Sequence, residues 1–304
     1  MKAVKRLILP AVRFWGRHFP ESLLKVRYRF RFGKWPNLKH PRNLNEKILF
    51  LLLKTDTTAW TDLADKYRVR DYVEQKVGKE RLVELLGVWQ DANEIDFDAL
   101  PQQFVLKTNH GSGEVVIVKD KSTLDRAATV AYLNREMSRP YGEVEGGRHY
   151  SRIKPVVVAE ALMVNDEESQ RFSSSIIDYK CWCFNGRCEY IFVCTNRAKS
   201  HVEVLLYDRN WNVCRQYSAF SPHYKEGPEL PRPENLAEMI EVAEALAAPF
   251  PCVRVDLYNT GGRIYFGEMT FTSLGGLMDY FTPEFLDKAG DMIDLSYGAD
   301  ALTR

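Results

Sequence analysis

The most distinctive segment of the chain is Phe104-Val105-Leu106-Lys107-Thr108-Asn109-His110-Gly111-Ser112-Gly113-Glu114-Val115-Val116-Ile117-Val118. An apolar strand ends in a lysine, a glycine turn follows, and a second strand rich in β-branched residues completes a predicted hairpin. A Walker-type phosphate loop has the opposite order, because its lysine follows the glycines and opens a helix. Two interpretations stay open from the hairpin alone: glycines that only turn the chain at the surface, and a glycine tip that covers a nucleotide polyphosphate above Lys107. The chain contains no His-Arg-Asp or Asp-Phe-Gly motif after this hairpin, which argues against a protein kinase.

The composition is ordinary for a soluble protein, but the charge is unevenly distributed. The chain has 304 residues, a length sufficient for one large or two modest domains. Of these residues, 45% are hydrophobic and 27% are charged. The net charge of +1 hides a basic N-terminus, because residues 1–34 contain ten Lys or Arg and one acid, Glu21, and carry +9. We expect these residues either to contact an anionic membrane surface peripherally or to form a solvated basic face on a first helix. No nucleic-acid motif accompanies the charge, so no nucleic-acid partner is predicted.

The apolar run Leu7–Val12 is too short to span a bilayer, and no small-residue cleavage site follows it. We therefore predict a cytoplasmic protein, with peripheral contact at the inner face of the membrane as an option. The six cysteines form no Cys-x-x-Cys pair, so a zinc site is not predicted and reduced thiols are expected. Cys181 and Cys183 alternate with Trp182 and Phe184, as inward and outward positions of a strand would.

Helix and strand signals alternate along the chain. Asn43 and Glu46 have capping-box spacing, which predicts the start of a helix. A second helix is predicted over 62–76, with Leu63, Tyr67, Val69 and Val73 facing inward and Gly78 as its end. Further helices are predicted over 124–137 and 233–248, a buried strand over 156–160, and hairpins that turn at Asn185-Gly186 and at 259–262. Strand pairs joined by tight turns indicate an α+β protein with antiparallel sheets rather than a doubly wound parallel sheet.

The hairpin over 253–269 carries a constellation of charges. Arg254 and Asp256 are two residues apart and share a face of the first strand, and Glu268 lies on the second strand. The turn folds Glu268 back towards Asp256. Two carboxylates near an arginine suit Mg²⁺ that bridges phosphate oxygens, because this cation prefers oxygen ligands. Arg254 would then neutralise the charge of a transferring phosphoryl group.

The alternative for this hairpin is an exposed charged face with cross-strand pairing. Ile264 and Phe266 are expected on the same face as Glu268, which would make that face partly apolar. The residues after the second strand, 270–276, have the composition of a loop rather than of a third strand. Both features favour a binding site over an exposed charged face.

With these motifs in place, the chain resembles the TupA-like branch of the ATP-grasp superfamily from about Asn37 to Leu295. The resemblance rests on the shared order of short motifs, each of them weak alone. They are Asn45-Glu46-Lys47, Ala64-Asp65-Lys66-Tyr67 with Val69-Arg70, Leu100-Pro101, Phe104–Lys107, Asn109–Gly113, Lys154-Pro155 with Glu160, Asp178-Tyr179-Lys180 with Phe184-Asn185-Gly186, Arg254-Val255-Asp256, and Phe266–Thr272.

The resemblance implies an ATP-grasp fold, with two α+β subdomains that grip ATP and a short basic N-terminal segment. Its expected boundaries here are 1–60, 61–160 for the subdomain with the glycine hairpin, and 161–304 for the Mg²⁺ and ATP subdomain. The implied roles cover ATP-binding residues, metal ligands and catalytic residues. They are ATP binding by Lys107, Gly111, Ser112, Gly113, Glu160 and Leu162, Mg²⁺ binding by Asp256 and Glu268, and catalysis by Arg254 and Lys180. The superfamily's Glu-x-Asn on the last strand is Glu268-Met269-Thr270 here, so Thr270 is not included as a ligand.

The function implied by the resemblance is ATP-dependent carboxylate–amine ligation through an acyl phosphate, with ATP and Mg²⁺ as cofactors. The expected substrates are a small-molecule or saccharide carboxylate, such as a uronic acid of a cell-surface polysaccharide, and an amino acid or amine. Two alternatives remain. One is a glycosyltransferase whose metal is held by Asp96-Phe97-Asp98, and the other is a non-catalytic ATP-binding protein associated with a membrane.

Overall fold

The computed structural model describes residues 2–111, 113, 115–144 and 147–298. The helices of these residues are α1 (Lys2–His18), α2 (Pro20–Phe32), α3 (Leu44–Lys54), α4 (Thr58–Ala64), α5 (Val69–Val77), α6 (Arg126–Met137), α7 (Arg148–Ser151), α8 (Leu236–Ala247) and α9 (Pro283–Asp291). The strands are β1 (Leu85–Trp89), β2 (Phe104–Thr108), β3 (Val115–Val118), β4 (Val157–Ala161), β5 (Asp178–Phe184), β6 (Arg187–Thr195), β7 (Val202–Asp208), β8 (Tyr224–Glu226), β9 (Cys252–Thr260) and β10 (Arg263–Thr270). No helix of this part of the chain is long and apolar enough to cross a bilayer.

The chain forms two compact units. Unit 1 takes in the described residues within 1–57, 144–146 and 164–304, and unit 2 takes in those within 58–143 and 147–163. Each unit contains a sheet and helices, and the predicted α+β class is confirmed.

Unit 2 is built on a four-stranded antiparallel sheet in the order β1-β4-β2-β3. Alternate residues of β2, including Phe104 and Leu106, are fully buried in a core that also contains Leu133 of α6. Lys107 falls between the buried positions and therefore points to the other face. β2 and β3 form the hairpin that the sequence predicts, with Phe104 paired to Val118 and Lys107 to Val115.

Unit 1 is built on a six-stranded sheet in the order β10-β9-β5-β6-β7-β8, antiparallel except for the β7–β8 pair. Helix α8 packs on one face of this sheet, where the Cys183 thiol contacts the Ala243 carbonyl oxygen. Both faces of the central strands are covered, because Trp182 and Phe184 are as fully buried as Cys183. Cys181 and Cys183 thus alternate with Trp182 and Phe184 along β5 as the sequence predicts, but neither set is exposed to solvent. All six cysteines are buried and free.

The turn and cap signals give the correct local structure in several places. Asn43 caps α3 by accepting a hydrogen bond from the Glu46 amide at 3.0 Å. The β5–β6 hairpin turns at Asn185 and Gly186, whose φ angles of 49° and 75° fit a type I′ turn. Gly78 follows α5 with φ of 95°, as expected of a helix end.

The single helix predicted over 62–76 is wrong, because the chain forms α4 and α5 with a turn between them. The Asp65 carboxylate causes the interruption: it accepts hydrogen bonds from the Tyr67 and Arg68 amides at 2.8 and 3.2 Å. Its second oxygen accepts a hydrogen bond from the Asn109 side chain at 2.8 Å. Tyr67 is 42% exposed rather than turned inward.

Candidate active site

The charged residues of unit 1 converge on one face of its sheet, opposite α8. Asp256 of β9 lies beside Lys180 of β5 and Glu268 of β10, and Arg254 lies beside Thr270. These positions alternate with buried apolar residues, so their side chains leave the sheet on the same side. The sequence-predicted catalytic and metal-binding residues are thus brought together.

A β-bulge at Gly267 produces this arrangement. Phe266 pairs with Leu257, yet Glu268 pairs with Asp256, so one extra residue is accommodated on β10. Without the bulge, Glu268 would share the face of Phe266, as the simple alternation of the sequence implied. That expectation for Ile264 and Phe266 was wrong. The extra residue turns Glu268 onto the Asp256 face.

Arg254 binds both carboxylates. Its Nε and Nη2 atoms donate to the two oxygens of Asp256 at 2.6 and 2.7 Å, and Nη2 lies 3.2 Å from Oε1 of Glu268. The Thr270 hydroxyl is 3.1 Å from both Arg254 Nη2 and Glu268 Oε1, and Ser273 accepts a hydrogen bond from Arg254 Nη1 at 2.5 Å. The guanidinium is therefore fixed in orientation between the carboxylates.

Lys180 bridges two aspartates. Its Nζ contacts Oδ2 of Asp256 and lies 2.6 Å from Oδ2 of Asp178. Burial alone would lower the pKa of Lys180, but the two carboxylates override it, and the pKa is raised. The two aspartates thus favour the charged form of this lysine. The pKa of Asp256 is raised, chiefly by burial, while Arg254 and Lys180 oppose that shift.

Unit 2 contains a second charged cluster on its sheet. Lys107 of β2 places Nζ 2.5 Å from Oε2 of Glu160 on β4, and Arg70 of α5 lies 3.5 Å from the other oxygen. All three side chains are at most 16% exposed. Arg70 also donates to the Val83 carbonyl at 2.9 Å, which fixes its guanidinium. Leu162 comes directly after β4 and is half-buried.

The glycine turn between β2 and β3 is anchored at its start. The Asn109 side chain donates to the carboxylate of Asp65, and its carbonyl oxygen accepts from the Val156 amide at 2.8 Å. Lys66 Nζ donates to the carbonyl oxygen of Gly111. Gly113 has φ of 90°, which favours glycine, and open space where a Cβ would be. Ser112 lies outside the described residues.

The family model described as TupA-like ATPgrasp matches residues 46–294. The chain belongs to this family. Membership makes it an ATP-grasp ligase, and this class uses ATP with Mg²⁺. No curated protein matches the chain significantly.

Solved structures similar to the chain include several ligases. A D-alanine–D-alanine ligase from Bacillus anthracis is 16% identical, with a TM-score of 0.46, over 86% of this chain and 72% of the other. The D-alanine–D-alanine ligase from Helicobacter pylori is 13% identical, with a TM-score of 0.43, over 83% and 67%. An L-amino acid ligase from Bacillus licheniformis is 15% identical, with a TM-score of 0.45, over 84% and 56%. Likenesses this distant show no substrate.

The carboxylates of this ATP-grasp chain fit Mg²⁺. Asp256 and Glu268 supply oxygen donors that meet at one nitrogen of Arg254, and two carboxylates plus substrate phosphates are a usual set for this ion. Oδ1 of Asp178 adds a buried oxygen with no hydrogen-bond partner among the described residues. No group of three or more His, Cys, Asp or Glu in the same part of the chain forms a preassembled metal cage. Two protein carboxylates leave further coordination positions of Mg²⁺ to substrate phosphates and water.

Several contributors to the site had no assigned role from the sequence. Asp178 and Arg70 lie in motifs to which the resemblance gives no role, and Ser273 lies in the loop after β10. The position of Asp178 can be inferred from the sequence, because it lies two residues before Lys180 and therefore shares its face of the strand. The positions of Ser273 and Arg70 cannot, since their contacts depend on the tertiary fold.

The Asp96-Phe97-Asp98 segment is a structural turn. Asp96 accepts hydrogen bonds from the Asp98 and Ala99 amides at 3.0 and 3.2 Å, and Asp98 forms an ion pair with Arg126 at 2.7 Å. Phe97 is buried in the unit 2 core. The two carboxylates are engaged separately, which disfavours the glycosyltransferase alternative.

Proposed function

We propose that this ATP-grasp ligase joins a uronic-acid carboxylate of a cell-surface polysaccharide, or of its precursor, to an amino acid or amine. The observation that carries a phosphoryl-transfer role is the Arg254, Asp256, Glu268 and Lys180 cluster on one face of the unit 1 sheet. Family membership supports carboxylate–amine ligation, and the TupA-like branch motivates the polysaccharide substrate.

In the proposed reaction, a carboxylate oxygen of the acceptor attacks the γ-phosphorus of ATP. The bond from that phosphorus to the β,γ-bridging oxygen breaks, so ADP leaves and an acyl phosphate forms. The amine nitrogen then attacks the acyl carbon, phosphate leaves with the bonding pair, and the nitrogen loses a proton. An amide, ADP and phosphate are the products.

The chain's own cations reduce the repulsion between the two anionic substrates. Arg254 would stabilise charge on the transferring phosphoryl group, and Lys180 would provide a second positive charge beside Asp256. Bound Mg²⁺ would neutralise phosphate oxygens, with Asp256 and Glu268 as its protein ligands. The bidentate contact of Arg254 with Asp256 keeps the guanidinium from rotating, so little reorganisation is needed when phosphate arrives.

We assign nucleotide recognition to unit 2. Lys107 would bind a phosphate, Gly111, Ser112 and Gly113 would cover the polyphosphate, and Glu160 and the Leu162 backbone would contact the nucleoside. The Lys107–Glu160 ion pair supports this assignment, because it holds a lysine and an acceptor on one side of the sheet. We further propose that the reaction takes place in the cytoplasm, where ATP is available.

The test is a turnover screen with purified protein, MgATP and pairs of uronic acids and amines, read by mass spectrometry. ADP and phosphate formed only with a complete pair support the proposal, whereas AMP and pyrophosphate contradict it. The D256N/E268Q double variant should lose turnover. Asp98→Asn is the matched control, because Asp98 is an 82%-exposed carboxylate of the alternative Asp-x-Asp site.

Two outcomes favour the alternatives. Thermal stabilisation by UDP-sugar with Mn²⁺ but not by MgATP, together with loss of activity in Asp98→Asn, indicates a glycosyltransferase. If wild type binds MgATP but turns over no faster than the double variant, the chain is a non-catalytic ATP-binding protein.

A further inference from the structure

The aromatic side chains most exposed to solvent are concentrated near the N-terminus. Among the described residues, every Phe or Trp with at least 60% exposure lies between residues 14 and 35. They are Phe14 at 62%, Phe19 at 60%, Phe30 at 86% and Trp35 at 60%. We call these four side chains the aromatic face. Such a concentration of exposed apolar surface indicates an interaction site.

The helices of unit 1 hold these residues on a stable support. Phe19 and Phe30 are eleven positions apart, about three helical turns, and so lie on the same side of α2. Leu24 and Tyr28, on the far side of α2, are buried, and Leu23, which lies on the helix between Phe19 and Phe30, is buried as well. Helix α1 is joined to α2 by a hydrogen bond of 2.6 Å from the Trp15 indole to the Ser22 hydroxyl. Phe14 is thereby carried by the same helical pair.

The charge around the aromatic face is positive. Residues 1–34 carry +9, and their one acid, Glu21, is paired with Lys25 and Lys54 at 2.6 Å each. Arg17 is exposed three residues after Phe14, about one helical turn further on, and Lys34 is exposed directly before Trp35. A pocket of about 410 Å³ adjoins this segment and is lined by Glu21, Lys25, Pro36, Asn37, Leu38, Lys39 and Lys54. Three lysines against one glutamate make this pocket suitable for an anionic headgroup.

We propose that the aromatic face docks on an anionic lipid bilayer, with its rings in the interfacial region and the basic residues on lipid phosphates. The Phe rings are apolar and suit the boundary between headgroups and acyl chains, while Trp35 has a polar indole N–H and suits the hydrated side of the interface. Charge complementarity selects the lipid surface over a protein partner, since residues 1–34 keep a large positive excess even with Arg31 paired to Asp279, and this excess attracts an anionic sheet of any sequence. This docking goes beyond the ligase reaction and does not depend on its substrate.

Co-sedimentation of the full chain with vesicles tests the proposal. We expect binding to phosphatidylcholine vesicles that contain phosphatidylglycerol, none to phosphatidylcholine alone, and release of the bound protein in 0.5 M NaCl. F14S/F30S should reduce the bound fraction at least tenfold. Phe220→Ser, which alters a 38%-exposed phenylalanine outside the segment, should bind as wild type does.

A second double variant tests how much the basic residues contribute to vesicle binding. R17Q/K34Q should weaken binding by about twenty-five-fold at low salt, roughly fivefold for each charge removed. Thermal melting establishes that each variant is folded, and ATP turnover should be unchanged in all of them. Wild-type protein that fails to bind the anionic vesicles overturns the proposal, as does equal binding by wild type and F14S/F30S. Binding to phosphatidylcholine alone that salt does not reverse also overturns it.

Discussion

Protonation of His149 should destabilise unit 2 as the pH falls. His149 is fully buried, with its ring 5.4 Å from that of Trp60 and 4.2 Å from that of Tyr150. Neither ring nitrogen has a hydrogen-bond partner among the described residues. Burial, with a smaller contribution from Arg152, lowers the pKa of His149 from 6.5 to about 3. The folded protein therefore keeps this imidazole neutral.

Proton linkage determines the direction and the size of this change in the free energy of unfolding. Below pH 6.5 the unfolded chain binds a proton that the folded chain does not, so the free energy of unfolding decreases as the pH falls towards 3. At pH 5 the loss is about 2 kcal/mol relative to pH 8, and the ceiling at low pH is about 5 kcal/mol. The stability contributed by the neutral ring is thus fully present only above pH 6.5.

Urea denaturation at pH 8 and pH 5 measures this effect, with hydrogen exchange of the β2 and β4 amides to isolate unit 2. His149→Met keeps the site apolar and of similar volume, and should remove about 2 kcal/mol of the pH dependence. His40→Gln, at an exposed histidine, is the matched control and should behave as wild type does. If wild type and His149→Met lose the same free energy of unfolding between pH 8 and pH 5, His149 is not the source of the pH dependence.

Three substitutions test the site itself. Gly267→Ala should destabilise unit 1 by about 1–3 kcal/mol. The new Cβ would lie 3.0 Å from the Asp256 carbonyl oxygen and 3.2 Å from the Tyr258 ring. An unchanged midpoint of urea denaturation contradicts this prediction. Asp178→Asn should raise the Mg²⁺ concentration needed for half-maximal turnover about tenfold, since it withdraws a buried carboxylate charge; an unaltered Mg²⁺ titration excludes that role. Lys107→Met should raise the KM for ATP at least tenfold with a smaller change in kcat. Glu160 remains paired with Arg70 in this variant. A KM equal to that of wild type shows that Lys107 does not bind the nucleotide.

Local chemistry accounts for the parts of the fold that the sequence predicts. Asn185-Gly186 needs only its own backbone preferences to form a turn, and Asn43 caps α3 with a bond three residues away. The break between α4 and α5 could not be predicted in this way. It depends on the Asp65 bond to Asn109, which is 44 residues distant.

The site shows the same division between local and long-range causes. The charged residues on β9 and β10 could be identified from their spacing, and the family resemblance supplied their chemistry. The face that Glu268 occupies could not, because strict alternation places it with Phe266 and only the bulge at Gly267 moves it beside Asp256. The Arg254–Ser273 contact likewise exists only after the loop that follows β10 has packed.

The most direct test of the central claim is the stoichiometry of a complete turnover. ATP, a uronic acid and an amine should yield one ADP and one phosphate for each amide formed, and ¹⁸O in the uronic carboxylate should appear in the released phosphate, because the acyl phosphate passes one carboxylate oxygen to it. The D256N/E268Q variant should form neither ADP nor amide. Amide formation with AMP, or with no ¹⁸O in the phosphate, would contradict the account.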